Sequence, residues 1–125
     1  MVGPDALFDT NILIDDLCGL PQAKSEIARY TTQSISIISW MEVMAGTDDS
    51  DEAVTRAYLN SFRVVPISTS IAEAAASLRR TLRLKLPDAI ILATARVEQC
   101  TLVSRNSRDY DEKDIGIRIP YSLKL

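Results

Sequence analysis

The sequence predicts an α/β fold in which a central parallel sheet of four to five strands is flanked on both faces by helices. Two observations carry this expectation. Short apolar or β-branched runs alternate with stretches of helical spacing, in the order strand, helices, strand, helices, strand, helices, strand, and such alternation implies parallel strands joined by helical crossovers. The chain has 125 residues, 46% apolar and 25% charged, which is the size and composition of one ordinary globular domain. No internal repeat, low-complexity tract or linker divides it, so residues 1–125 read as a single domain.

Each element has its own signal. Ala6-Leu7-Phe8 is a short buried-strand run ending at Asp9, and Asn11 to Leu17 follows as helix. Gly19 and Pro21 punctuate, and Gln22 to Tyr30 resumes helical spacing through Ala23, Ile27 and Tyr30. Ser34-Ile35-Ser36-Ile37-Ile38 is β-branched and reads as a strand, with Ser39 opening a helix that stops at Gly46. The acidic run Asp48-Asp49-Ser50-Asp51-Glu52 suits a loop and a helix start, because carboxylates favour the positive end of the helix dipole, and that helix runs to about Phe62. Arg63 to Ile67 is a strand, and Ser70 to Leu82 an alanine-rich helix. Pro87 stands in the first turn of a helix continuing from Ala89 to Glu98. Thr101-Leu102-Val103 is the next strand and Ile115 to Ile119 a candidate for the last.

Composition removes several chemistries. With no histidine there is no Ser-His-Asp or Cys-His nucleophile pair and no imidazole acid–base catalyst. Two cysteines, Cys18 and Cys100, are too few for a cysteine-rich zinc site or a disulfide framework. No stretch approaches a membrane span, and Met1 to Ala6 has neither basic residue nor long apolar run, so a cytoplasmic location is expected. The net charge of −3 is unevenly divided: residues 1–62 hold 3 basic and 10 acidic side chains, residues 63–125 hold 11 and 7. An acidic pocket beside a basic face is compatible with that division.

In open α/β sheets the ligand crevice lies beyond the carboxyl ends of the strands. Three acids fall there: Asp9 directly after the first strand, Glu42 a turn into the helix after the second, and Asp88 in the first turn after Pro87. Asn106, with Asp109 close behind, follows the strand Thr101–Val103. Singly, each has a structural explanation. Ser39-Trp40-Met41-Glu42 and Ser70-Ile71-Ala72-Glu73 both fit the capping box, Asp9 suits a helix cap, and Asp88 suits the dipole. Asp109 is one of several acids in an exposed-looking stretch. Together they are harder to explain, since carboxylates about 4 Å apart repel by roughly 4 kcal/mol per pair at an effective dielectric near 20. A compensating cation with all-oxygen ligands points to Mg²⁺ or Mn²⁺, and thence to hydrolysis of a phosphodiester.

Four blocks of the chain resemble those of PIN-domain proteins of the VapC toxin type, and in the same order: Phe8-Asp9-Thr10-Asn11-Ile12-Leu13-Ile14-Asp15, Ser39 to Gly46, Leu86 to Ala95, and Leu102 to Tyr110. The resemblance spans about the whole chain. It implies a PIN-like three-layer fold and a Mg²⁺-dependent endoribonuclease, the toxin of a type II toxin–antitoxin pair. It further implies a homodimer held inactive by a VapB-like antitoxin. Carried over by position, Asp9, Glu42 and Asp88 are the metal-site acids. The family's fourth acid falls on Asn106, a neutral donor, leaving Asp109 to compensate. Asn11 and Ser104 order the pocket, Arg105 and Arg108 meet RNA phosphates, and Arg79, Arg80, Arg83 and Lys85 form a track or merely a solvated face.

Other readings fit less of the sequence. A dinucleotide-binding domain would need GxGxxG after Phe8, and the chain has only four glycines. A haloacid-dehalogenase-like phosphatase wants an acid where Asn11 stands, and a receiver-like signalling domain wants an acid beside Asp9 and a phosphoacceptor after Arg63–Ile67. A PIN-fold binding module without catalysis is the remaining alternative, invited by Asn106.

Overall fold

The computed structural model describes residues 4–123; Met1–Gly3, part of the stretch read for a targeting signal, lie outside the described residues. Five strands, β1 (Asp5–Phe8), β2 (Thr32–Ser36), β3 (Arg63–Val65), β4 (Thr101–Val103) and β5 (Ile117–Arg118), form one sheet in the order β3-β2-β1-β4-β5. Every pairing is parallel, with Leu7 opposite Ser34 on one side and Leu102 on the other. Six helices connect them: α1 (Thr10–Leu17), α2 (Pro21–Ile27), α3 (Ile37–Ala45), α4 (Glu52–Leu59), α5 (Thr69–Leu82) and α6 (Leu86–Val97). Among the described residues no helix is long and apolar enough to cross a membrane.

The period-2 alternation of β1 divides the core into two layers. Ala6 and Phe8 face a cluster built with Ile12, Leu13, Ile27, Tyr30, Val43, Leu59 and Phe62. Leu7 faces the opposite cluster, with Ile71, Ala75 and Leu78 of α5 and Ala89, Ile91 and Leu92 of α6. Leu102 and Val103 of β4 split the same way. The Phe8 ring meets Tyr30 and Phe62 edge-on, at centroid distances of 5.7 and 5.9 Å. Ile27, Tyr30, Leu59 and Phe62 are thus all buried in the core.

The third strand stops at Val65 rather than Ile67, the last spans Ile117–Arg118 rather than Ile115–Ile119, and α4 ends at Leu59 rather than near Phe62. Two further differences concern helix caps. The second strand ends at Ser36, and Ile37 and Ile38 are already helical. Ser36 is the cap, its hydroxyl accepting from the Ile38 N–H at 3.1 Å, whereas Ser39 is fully buried inside α3. The capping-box explanation of Glu42 is thereby withdrawn. Likewise Ser68, not Ser70, caps α5, accepting from the Ile71 N–H at 3.2 Å.

The sheet order fixes where a site can form. The chain moves outward from β1 through β2 to β3, then crosses back to β4 on the other side of β1. The reversal leaves a crevice past the carboxyl ends of β1 and β4, where open α/β sheets bind ligands.

Candidate active site

Asp9 sits at that reversal, buried, at the end of β1. It does cap α1, its Oδ1 accepting from the Thr10 N–H at 2.7 Å. Its second oxygen is aimed elsewhere: Oδ2 accepts from the Ser104 hydroxyl at 2.7 Å and from the Asn11 amide at 3.3 Å. Ser104 follows β4 directly and also accepts from the Asn106 N–H at 3.0 Å. Asn11 Oδ1 accepts in turn from the Arg105 N–H at 3.2 Å. The first and last blocks of the sequence, more than 90 residues apart, therefore meet on one carboxylate.

Glu42 is exposed on α3, and its Oε1 accepts from the Thr10 hydroxyl at 2.7 Å. That hydroxyl also lies 2.9 Å from Ser39 Oγ. Asp88 lies in the first turn of α6, half-buried. Beneath it, the hydroxyl of buried Tyr110 donates to the Asp88 main-chain carbonyl at 2.9 Å.

The electrostatics tie these acids together. Burial, then the charges of Asp88 and Glu42, pushes Asp9 up to about 6, against the relief of its Ser104 and Thr10 hydrogen bonds. Asp88 is also raised, by burial first and then by Asp109 and Glu42, with Lys85 opposing. Asp9, Asp88, Asp109 and Glu42 all act on the Tyr110 hydroxyl, which burial already holds far above the usual phenol range. The four carboxylates thus share one electrostatic neighbourhood, closed below by Tyr110.

Asn106 and Asp109 form a pair. The Asn106 amide donates to Asp109 Oδ2 at 3.0 Å, and the Asp109 N–H donates back to Asn106 Oδ1 at 3.3 Å. Of the acids acting on Asp88, Asp109 weighs most. Asn106 and Asp109 are thus joined across a turn, and Asp109 acts on Asp88.

Arg105, expected to meet phosphate, is also engaged within the protein. Its guanidinium is held by Asp15 through two bonds, Nε to Oδ2 at 2.6 Å and a terminal nitrogen to Oδ1 at 3.1 Å. Arg108 is exposed and carries no ion pair among the described residues. It lines a cleft of about 530 Å³ with Asn11, Arg105 and Asn106. In the other basic group, Arg79 donates to the Leu84 carbonyl at 2.7 Å, while Arg80, Arg83 and Lys85 are exposed.

Among the described residues, no three His, Cys, Asp or Glu side chains gather closely enough to form a ready cage for a metal ion. The donor set still fits a hard divalent cation. All donors are oxygen, Asp9 and Asp88 are unfavourably charged by their neighbours, and magnesium takes only one or two carboxylates while keeping its waters. The sequence reading missed Thr10, Tyr110, Asp15 and Tyr121. Asp15 was findable, because it lies four residues after Asn11 and so on the same helix face; Tyr110 was not, since its partner is a main-chain carbonyl.

The comparisons with known proteins agree with this architecture. No curated protein matches the chain. Among solved structures, a toxin–antitoxin complex from Klebsiella pneumoniae is similar at 44% identity and a TM-score of 0.89, over 94% of this chain and 99% of that one. FitAcB from Neisseria gonorrhoeae shares the fold at 20% identity and a TM-score of 0.76, over 94% and 99%. DNA-bound VapBC from Salmonella typhimurium does so at 21% and 0.75, over 94% and 96%. The PIN domain pattern matches residues 6–115, and the chain accordingly belongs to the PIN-domain family.

Proposed function

We propose that this protein is a Mg²⁺-dependent endoribonuclease, with Mn²⁺ able to substitute, and the toxin of a type II toxin–antitoxin pair. The observation that carries the reading is the pair of raised carboxyls, Asp9 and Asp88, at the β1/β4 crevice, each pushed up in part by the charge of Glu42. Membership of the PIN-domain family supports hydrolysis of nucleic acid, and the absence of histidine is compatible with it. Asp9 and Asp88 would hold the cation most directly, Glu42 would bind it or position the water, and Asn106 with Asp109 would make the fourth, paired contribution. The chemistry such a cation supplies when bound is neutralisation of phosphate oxygens and acidification of a water. The protein's own part is positional. Ser104 and Asn11 fix the free oxygen of Asp9, Thr10 fixes Glu42, Tyr110 anchors the turn that bears Asp88, and Arg108 meets phosphate beside them.

The likeness to a toxin–antitoxin complex supports a VapB-like antitoxin as partner. An exposed apolar cleft of about 440 Å³, lined by Ile14, Leu17, Val43 and Val54 beside Glu42, supplies surface that a protein partner would cover. The reading also includes a homodimer and a cytoplasmic location.

The test is cleavage of RNA with Mg²⁺, with EDTA, and by Asp9→Asn and Asp88→Asn at equal folded content. Cleavage leaving 5′-phosphate and 3′-hydroxyl ends, lost in EDTA and lowered at least about 100-fold in each variant, is expected. Persistence in EDTA or in both variants, or a 2′,3′-cyclic phosphate product, would overturn the mechanism.

A further inference from the structure

We propose that Asp15 is a positioning residue for the site: held between Arg105 and Tyr121, it fixes the Arg105 peptide, which sets the orientation of the Asn11 amide and so the hydrogen bonds on Asp9. The idea rests on the ribonuclease reading for its rate measurement alone.

The chain of contacts is continuous. Asp15 is buried on α1, four residues after Asn11 and on the same face. Arg105 binds it with a bidentate fork, and Tyr121, from the segment after β5, donates to Asp15 Oδ2 at 2.7 Å. Three separated stretches of sequence are thereby clamped at one carboxylate. The clamp holds the Arg105 main chain against α1, and its N–H reaches Asn11 Oδ1 at 3.2 Å.

That contact decides which way the Asn11 amide points. An amide turned by half a revolution would set its NH₂ against the Arg105 N–H, donor to donor, and its oxygen against the Asp9 carboxylate. Only the observed orientation lets Asn11 donate to Asp9 Oδ2 and Ser104 Oγ, both at 3.3 Å. Ser104, next to Arg105 in the chain, is placed by the same clamp to donate to Asp9. The fork to Asp15 takes two of the three guanidinium nitrogens of Arg105.

The experiment measures side-chain amide exchange of Asn11 by NMR together with RNA cleavage, in the full chain. Asp15→Asn keeps the shape but removes the charge that holds the fork. We expect Asn11 amide exchange to accelerate at least about tenfold, and kcat to fall at least about tenfold with KM within about twofold, since small misplacement near reacting groups is costly. Arg105→Ala should reproduce both effects, and the double variant should lose no more than either single one. Tyr121→Phe, which preserves packing, should accelerate exchange about two- to threefold, and it decides the matter if Asp15→Asn does not fold. Unchanged Asn11 exchange in Asp15→Asn, or in Tyr121→Phe where that variant decides, would overturn the proposal. So would an Arg105→Ala variant that raises KM and leaves kcat alone. Failure of the native protein to cleave RNA would count against the ribonuclease reading, while the exchange rates would still decide the clamp.

Discussion

Asp9 lives with an energetic conflict. Under the proposed function it must be an anion to hold a cation, yet burial and two neighbouring acids push it up to about 6 from 3.8. The folded protein therefore binds this proton more tightly than the unfolded chain does. Stability contributed by the neutral form is present below the unfolded value and is lost as pH rises from about 4 through about 6. A shift of about two units corresponds to a ceiling of roughly 3 kcal/mol. Asp9→Asn, which keeps one acceptor oxygen and removes the charge, should stabilise the cation-free protein by about 1–3 kcal/mol at pH 7 and by little at pH 4. Calorimetric melting in EDTA across that range checks it; a gain independent of pH would mean that Asp9 titrates like a surface carboxyl. Added Mg²⁺ should raise the melting temperature of the native protein and not of the variant.

At the scale of the elements, the sequence was most readable where local chemistry and burial agree. β4 runs over Thr101–Val103 as read, since two of its three residues are buried and turn signals bound it. The boundary between β2 and α3 was misread because Ile37 and Ile38 are β-branched, and Ser36 and Ser39 are equally good caps on paper. Only tertiary placement separates them: Ser39 is needed inside, beside Thr10. The same ambiguity arises with Ser68 and Ser70, and it yields a direct check. Ser68→Ala should cost about 1 kcal/mol of stability in urea unfolding, whereas Ser70→Ala, exposed within α5, should change it by less than about 0.5 kcal/mol. Equal costs would mean that the helix begins later than described. The acids of the site were legible as types at strand ends; the pairing of Asn106 with Asp109 and the seizure of Arg105 by Asp15 were not, because both depend on how the segment after β4 folds back.

The whole molecule brings its two unequal halves together at the sheet reversal. Asp9 and Glu42 come from the acidic half, Asp88 and Asp109 from the basic half, with Arg108 beside them. A dimer is the prediction that belongs at this scale. Ile27, Tyr30, Leu59 and Phe62 are core, but Val54 is 72% exposed and Leu82 and Leu86 are each 52% exposed. Light scattering at micromolar concentration should give twice the chain mass of 13.8 kDa; a value equal to that mass would remove the dimer from the proposed function.

The central position of β1 also governs the order of events during synthesis. Its neighbour β4 and the Ser104 hydroxyl follow it by more than 90 residues, and a ribosome adds roughly 5–20 residues each second. A nascent chain still short of Ser104 has half a crevice and lacks the shorter of the two hydrogen bonds on Asp9 Oδ2. Translation thus imposes a delay of several seconds between the appearance of the first acid and the completion of the pocket.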